Sequence, residues 1–183
     1  MNRTIYCLPG RGGRLATGLG EGLFSRGFNV TGRETVGEFR NLAFQEQIDI
    51  VAEDLRTRFW HEDARVIANS FGAYLFLHAQ AQMEPYVGKV LLLSPIVGDF
   101  SKEDSLMNFS PPRAGRLQEL TRNGNYPVPR ECEIHVGDQD WQSVPGNVIA
   151  FGTQLGLKVI VVPGAGHLLG KDYVGAVLDR WLS

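Results

Sequence analysis

The sequence has few cysteines, no long apolar run and almost no net charge, and each absence excludes a class of protein. The two cysteines, Cys7 and Cys132, lie in apolar runs typical of separate strands, which predicts buried, reduced thiols rather than a disulfide framework. No run approaches the ~20 apolar residues that span a bilayer, and no targeting segment precedes the first expected strand. We therefore expect a cytoplasmic protein with no membrane partner.

Charge and length point to an ordinary globular protein. The formal net charge is -2, so the chain has no general attraction for phosphate backbones, and we expect no nucleic-acid partner. With 183 residues, of which 43% are hydrophobic and 21% charged, the chain can bury one substantial core. The composition predicts a single domain over residues 1–183.

Apolar runs typical of strands alternate along the chain with stretches of helical periodicity. The expected strands are TIYCL, GFNVTG, ARVIANS, GKVLLLSPI, ECEIHVG and LKVIVVPG. Helices are expected over residues 14–25, 44–59, 71–83, 144–155 and 174–181, the first because Leu15, Leu19 and Leu23 recur every fourth residue. This alternation predicts an α/β fold, a three-layer sandwich around a mainly parallel six-stranded sheet.

Residues 98–130 interrupt the alternation with prolines and turn-forming residues. A loop of this length in a compact domain is usually a lid or a binding loop, and its AGRLQELTR stretch predicts one short helix. Leu106, Met107 and Phe109 are candidates either for an apolar pocket or for core packing.

Ser70 lies where the third strand meets an apolar helix, in the stretch ANSFG. A nucleophile on such a strand-to-helix turn adopts an unfavourable backbone conformation, which requires small residues two positions before and after it. Ala68 and Gly72 are both small, although glycine is usual at both positions. Ser70 is thus a candidate nucleophile, and the alternative is that it only caps the helix.

A serine hydroxyl needs a base, and among the four histidines the best candidate is His167. It follows the sixth strand, in a glycine-containing loop at the end of the sheet where ligands gather. His61 lies in a polar turn, His78 in the buried helix and His135 inside the fifth strand, so we expect none of these three to reach Ser70.

The base needs a carboxylate to orient it, and the loop after the fifth strand offers two. We favour Asp140, three residues beyond Gly137, over Asp138, which is an alternative as a solvated or turn-capping residue. Asp99, at the end of the fourth strand, is a third and weaker candidate.

The order serine, aspartate, histidine in ANSFG, VGDQDWQSVP and PGAGH resembles the α/β-hydrolase superfamily, in a short form with no cap domain. The resemblance covers nearly the whole chain. It implies a minimal α/β-hydrolase fold and an oxyanion hole formed by two backbone N–H groups, those of Phe71 and of Arg11 in LPGRGG. Pro9 stands where this family usually has a histidine before that glycine.

The glycine-rich stretch GRGGRLATGLG has a second interpretation, a phosphate cradle. Neither common nucleotide-binding spacing fits, because Leu15 and Leu23 occupy the place of the third glycine in the two possible frames and no lysine follows. We expect no cofactor and no metal.

Substrate contacts are harder to predict. Arg11, Arg14 and Arg33 follow the first two strands and are candidates for a basic rim that favours an anionic substrate, or else are solvated surface residues. Trp141, beside Asp140, is a further candidate contact.

The sequence as a whole indicates a serine hydrolase whose partner is a small ester or thioester, cleaved through an acyl-enzyme. The alternatives are an acyltransferase with the same three residues and a non-catalytic binding protein on the same scaffold. The sequence does not indicate which protein partner, if any, the chain has.

Overall fold

The computed structural model describes residues 3–102 and 108–183. Its strands are β1 (Thr4–Leu8), β2 (Asn29–Gly32), β3 (Arg65–Asn69), β4 (Lys89–Leu93), β5 (Phe100–Ser101), β6 (Asn108–Phe109), β7 (Glu131–Gly137) and β8 (Lys158–Val162). Its helices are α1 (Leu19–Phe24), α2 (Gly37–Asn41), α3 (Phe44–Arg58), α4 (Phe71–Gln80), α5 (Arg116–Arg122), α6 (Pro145–Leu155) and α7 (Lys171–Leu182).

Six of these strands form one parallel sheet in the order β2-β1-β3-β4-β7-β8. All five neighbouring pairs run parallel, as in the register that places Asn69 beside Leu93 and Leu93 beside His135. The carboxyl ends of β3, β4 and β7 therefore lie side by side at one edge. The predicted three-layer α/β fold with a parallel six-stranded sheet is confirmed.

The core has two layers because successive side chains of a strand point to opposite faces of the sheet. On β1, Tyr6 packs on the side of α3 and α4, whereas Ile5 and Cys7 pack on the side of α1 and α7. Helix α4 is buried along its whole length, as its almost uniformly apolar sequence predicts. Cys7 and Cys132 are buried free thiols, and burial raises the pKa of each to about 12.

The first predicted helix is wrong in its extent. Residues 15–18 form turns and a bend, and α1 begins only at Leu19. Gly18 has a φ of 56°, and a Cβ on Gly20 would lie 1.8 Å from the carbonyl oxygen of Leu15, so the chain folds back over the start of the helix. Leucine spacing alone misses this reversal. Helix α2, with no buried residue, was also not predicted.

The irregular segment 98–130 contains more structure than a loop. The predicted short helix is confirmed as α5, which buries Leu117, and β5 and β6 form a small antiparallel pair. Leu106 and Met107 lie outside the described residues, while Phe109 is partly exposed and stacks on Phe100. No helix among the described residues has the length and apolar character needed to cross a membrane.

Candidate active site

Ser70 occupies a strained turn between β3 and α4. Its φ of 52° and ψ of -117° are unusual for a residue with a side chain, whereas an N-cap residue normally has extended backbone angles. Its side chain makes no capping hydrogen bond, so Ser70 does not serve as a side-chain cap for α4. The turn is attached to the neighbouring strand β4, because the Ser70 amide donates to the carbonyl oxygen of Leu93 at 3.0 Å.

Gly72 allows this turn to pack against β1. A Cβ on Gly72 would lie 2.1 Å from the carbonyl oxygen of Leu8 and 2.4 Å from that of Pro9. These distances are far below any normal contact, so no larger residue fits there without moving the backbone. At the other flanking position the small Ala68 is fully buried.

His167 joins Ser70 from the loop after β8. Its Nε2 lies 2.7 Å from the Ser70 hydroxyl oxygen, and its Nδ1 lies 2.9 Å from Oδ2 and 3.0 Å from Oδ1 of Asp140. This spacing suits an imidazole that donates from Nδ1 to the carboxylate and accepts from the serine hydroxyl at Nε2. The three side chains thus form one continuous hydrogen-bonded chain.

Asp140 is buried, and its own loop holds it as an anion. Its Oδ1 accepts hydrogen bonds from the amides of Gln142 at 2.9 Å and Ser143 at 2.8 Å. Burial acts to raise the pKa of Asp140, but the hydrogen bond from His167 and these amides outweigh it and hold that pKa below its usual value. The carboxylate can therefore stabilise a positive imidazolium.

The other candidate carboxylates and histidines lie elsewhere. Asp138 is exposed and accepts the amide of Gly164 at 2.8 Å, so it closes the loop turn rather than contacting His167. Asp99 is also exposed. His78 packs against Phe44 and Tyr74, and His135 hydrogen-bonds Glu133 and Tyr173, so these two rings have partners other than Ser70. His61 is half-buried in the turn before β3.

Ser143 is a residue of this site that the sequence analysis missed. Its buried hydroxyl donates to the carbonyl oxygen of Ser94 at 2.5 Å and lies 3.4 Å from Nδ1 of His167. Ser94, at the end of β4, has a φ of 45° and a buried hydroxyl without a partner among the described residues. Ser143 thereby ties the Asp140 loop to the neighbouring strand. The only signal in the sequence was a serine three residues after the aspartate.

The loop after β1 approaches Ser70 closely enough to form one side of an oxyanion hole. A Cβ on Gly10 would lie 3.3 Å from the Cβ of Ser70. Thr35 holds this loop in place, because its hydroxyl donates to the Gly10 carbonyl and accepts from the Gly13 amide at 3.0 Å. Among the described residues, neither the Arg11 amide nor the Phe71 amide donates to a backbone carbonyl outside regular helices and strands. Arg11 directly follows Gly10 and Phe71 directly follows Ser70, the two residues that approach each other.

A cavity of about 190 Å³, which we call the Phe71 cleft, opens beside this loop. Its walls come from the loop after β1, from α2 and α3, and from the segment before α5. The lining residues are Arg11, Thr35, Arg40, Leu42, Phe44, Gln47, Phe71 and Pro112.

The other residues expected to contact substrate do not line this cleft. Arg33 makes a two-pronged ion pair with Asp54 at 2.6 and 2.7 Å, and Arg14 lies 3.7 Å from Glu34. Of the three arginines expected to form a basic rim, Arg11 lines the cleft, whereas Arg14 and Arg33 are paired with carboxylates 20 or more residues away. A role of this rim in substrate binding stays a prediction.

Trp141 is partly exposed beside Asp140 and packs with two phenylalanines of the β5–β6 pair. Its ring centroid lies 5.8 Å from that of Phe100 and 6.0 Å from that of Phe109. Trp141 does not line the Phe71 cleft. Within the described residues, no cluster of three or more histidine, cysteine or acidic side chains is arranged to hold a metal ion.

Comparison with known proteins gives structural matches only. No protein-family model matches the chain, and no curated protein matches it significantly. Among solved structures, the ydeN gene product of B. subtilis superposes with a TM-score of 0.68 at 13% identity, covering 98% of both chains. A structure from a study of carboxylesterases of the thaumarchaeon Nitrososphaera gargenis gives 0.67 at 13% identity, covering 99% of this chain and 90% of the other. Est1E from Butyrivibrio proteoclasticus gives 0.65 at 14% identity, covering 98% and 86%.

Proposed function

We propose that this chain, which has the α/β-hydrolase fold, is a serine hydrolase that cleaves carboxylic esters or thioesters. The observation that carries the proposal is the continuous hydrogen-bonded chain from Ser70 through His167 to Asp140. Each member follows a different strand, β3, β8 and β7, at the edge of the sheet where ligands bind in parallel α/β folds. The carboxylesterase study among the structural matches supports an ester as the substrate.

The reaction proceeds in two halves. The Ser70 hydroxyl oxygen attacks the carbonyl carbon while Nε2 of His167 takes its proton, and Asp140 stabilises the resulting imidazolium. The tetrahedral intermediate collapses as His167 returns that proton to the leaving alcohol or thiol, which leaves an acyl group on Ser70. Water then attacks the acyl-enzyme, with His167 again as base, and the acid departs.

The negative oxygen of each intermediate is held by backbone amides. Phe71 is the first residue of α4, so its N–H group lies at the positive end of that helix dipole. The Arg11 amide follows Gly10, on which a Cβ would lie only 3.3 Å from the Cβ of Ser70. One such donor typically lowers the barrier by about 3 kcal/mol. The mechanism uses no cofactor.

A fluorophosphonate probe tests this proposal directly, because it reacts selectively with an activated serine. Intact-mass analysis of the treated protein is expected to show one adduct, which peptide mapping places on Ser70. The adduct should be absent from Ser70→Ala and should form at least about 100-fold more slowly in His167→Ala. Hydrolysis of 4-nitrophenyl acetate and a short-chain thioester should follow the same order of variants.

The control is Asp138→Asn, which changes a carboxylate in the same loop that does not contact His167. We expect it to label at the rate of the wild type. A folded wild-type protein that forms no adduct and hydrolyses no ester would refute the proposal, and would leave a non-catalytic binding protein as the better interpretation.

A further inference from the structure

The Phe71 cleft adjoins the chain on either side of the close approach between Gly10 and Ser70. Two of its walls are Arg11 and Phe71, the residues whose amides flank Ser70 in the proposed mechanism. Pro112 also lines the cleft, and its carbonyl oxygen accepts the Tyr74 hydroxyl at 2.7 Å, one turn along the helix that begins after Ser70. The cleft is thus lined by residues that directly follow Ser70 and Gly10 in the chain, although Ser70, Asp140 and His167 do not line it themselves.

Two cations line the cleft without a carboxylate to neutralise them. Arg11 and Arg40 are exposed, and within the described residues neither lies within 4.0 Å of an acidic side chain. The Arg11 guanidinium lies 4.8 Å from the centre of the Phe71 ring, which orients it along the wall of the cleft. By contrast Arg14 and Arg33, close by in sequence, are both paired.

The remaining polar groups of the cleft are already engaged. The Thr35 hydroxyl donates to the Gly10 carbonyl, and the Gln47 side-chain amide donates to the Phe39 carbonyl at 2.8 Å. The other lining residues, Leu42, Phe44, Phe71 and Pro112, are apolar. The guanidinium groups are therefore the polar groups left to recognise a ligand, next to a mainly apolar wall.

From these observations we infer that the Phe71 cleft binds a terminal carboxylate of the substrate, so that the preferred substrate is a short ester or thioester that carries a free acid group. This inference rests on the proposed function and names its substrate class. A guanidinium matches the planar, two-oxygen geometry of a carboxylate. The cavity of about 190 Å³ is smaller than a typical drug-sized pocket of ~300–1,000 Å³, which favours a short chain.

Matched esters that differ only in this group provide the test. Monoethyl adipate and its terminal carboxamide place the group on the acyl side, and 4-acetoxybenzoate and 4-acetoxybenzamide place it on the leaving group. For at least one pair, we expect wild-type kcat/KM to favour the carboxylate by about tenfold, the effect of two partly solvated ion pairs. The ratio should fall toward one in 1 M salt, where charges are screened beyond about 3 Å.

Variants of Arg40 should change the ratio of kcat/KM between the carboxylate and the carboxamide of a pair. Arg40→Gln should lower the carboxylate preference about threefold, and Arg40→Glu should reverse it, because a like charge repels the acid group. Arg11→Gln should lower it about as much as Arg40→Gln. The control is Arg122→Gln on α5, which removes a charge from outside the cleft and should leave the ratio unchanged.

The inference and the proposed function fail in different ways. Equal kcat/KM for both members of each pair, unchanged by Arg40→Glu, would overturn the inference while the hydrolase proposal stood. Absence of both fluorophosphonate labelling and ester hydrolysis in the folded wild-type protein would overturn the hydrolase proposal itself. If the protein labels but cleaves none of the four esters, the same compounds are compared as inhibitors of labelling. Carboxylates must then protect Ser70 better than carboxamides in the wild type, and Arg40→Glu must reverse that order.

Discussion

Replacing Asp140 with asparagine tests the proposed role of the carboxylate with almost no change in shape. Oδ1 of Asp140 accepts the amides of Gln142 and Ser143, so an asparagine keeps its oxygen in that position. Its NH₂ group then takes the place of Oδ2, which lies 2.9 Å from Nδ1 of His167. Two donors cannot face each other, so the imidazole must carry its proton on Nε2 instead.

An imidazole protonated at Nε2 cannot accept the proton of Ser70. We therefore expect kcat/KM for 4-nitrophenyl acetate to fall by about 10⁴-fold, or about 5.4 kcal/mol of transition-state stabilisation at ~1.36 kcal/mol per factor of ten. The folded structure should persist, because both amide hydrogen bonds to the loop are kept. Circular dichroism and the thermal unfolding midpoint check that persistence.

Asp138→Asn is the matched control, since it makes the same chemical change two residues away. Its oxygen can still accept the Gly164 amide, so we expect activity within about threefold of the wild type. The reasoning would be refuted if Asp140→Asn kept more than a tenth of the activity, or if Asp138→Asn lost as much as Asp140→Asn.

Three further predictions concern folding stability. Gly72→Ala should destabilise the fold by at least about 3 kcal/mol, because its Cβ would lie 2.1 Å from a carbonyl oxygen at the end of β1. Gly146→Ala in α6, with open space around it, is the control and should change stability by no more than about 1 kcal/mol. Urea unfolding measures the free energy of unfolding of both variants. Burial lowers the pKa of His78 from 6.5 to about 4, so the unfolded chain binds the extra proton and stability should fall as the pH drops from 6.5 toward 4. In His78→Leu that part of the pH dependence should be missing, and an unchanged slope would contradict the assignment. Against the effect of burial, hydrogen bonds from an arginine, a lysine and a histidine lower the pKa of Glu133 from 4.5 to about 2. The ionised Glu133 carboxylate should stabilise the folded state by on the order of 2 kcal/mol, after allowance for its solvent-exposed partners. This contribution should be present above pH 4.5 and lost as the pH falls toward 2. The difference in unfolding free energy between wild type and Glu133→Gln should therefore shrink over that range.

Much of the fold could be predicted because hydrophobic periodicity reports burial directly. The apolar runs around Val66 and Leu91 have strand length and become central strands covered on both faces. The stretch after Ser70 is apolar all round and becomes the fully buried α4. The extent of α1 was missed because leucine spacing carries no information about a backbone reversal at Gly18.

Some of the candidate site residues could likewise be identified from local sequence, and others could not. Ser70 could be identified from the small residues around it, and His167 because it is the histidine that follows a strand end. Both are local features of the sequence, and the structure places the Ser70 hydroxyl oxygen 2.7 Å from Nε2 of His167. Asp138 and Asp140 differ little in sequence context, and only the course of the loop separates them: one carboxylate turns toward Gly164 and the other toward His167.

The sequence by itself determined the layered α/β fold, the strained serine turn and the order of the three candidate catalytic residues, because each depends on side-chain size and polarity within a few neighbouring positions. Tertiary structure alone decided which charges remain free. Arg33 is neutralised by Asp54, 21 residues away, and the Ser143 hydroxyl is held by Ser94, 49 residues away, whereas Arg40 is left without an acidic partner among the described residues at the Phe71 cleft. Such pairings depend on strand register and on the direction of each loop, and local sequence patterns carry neither.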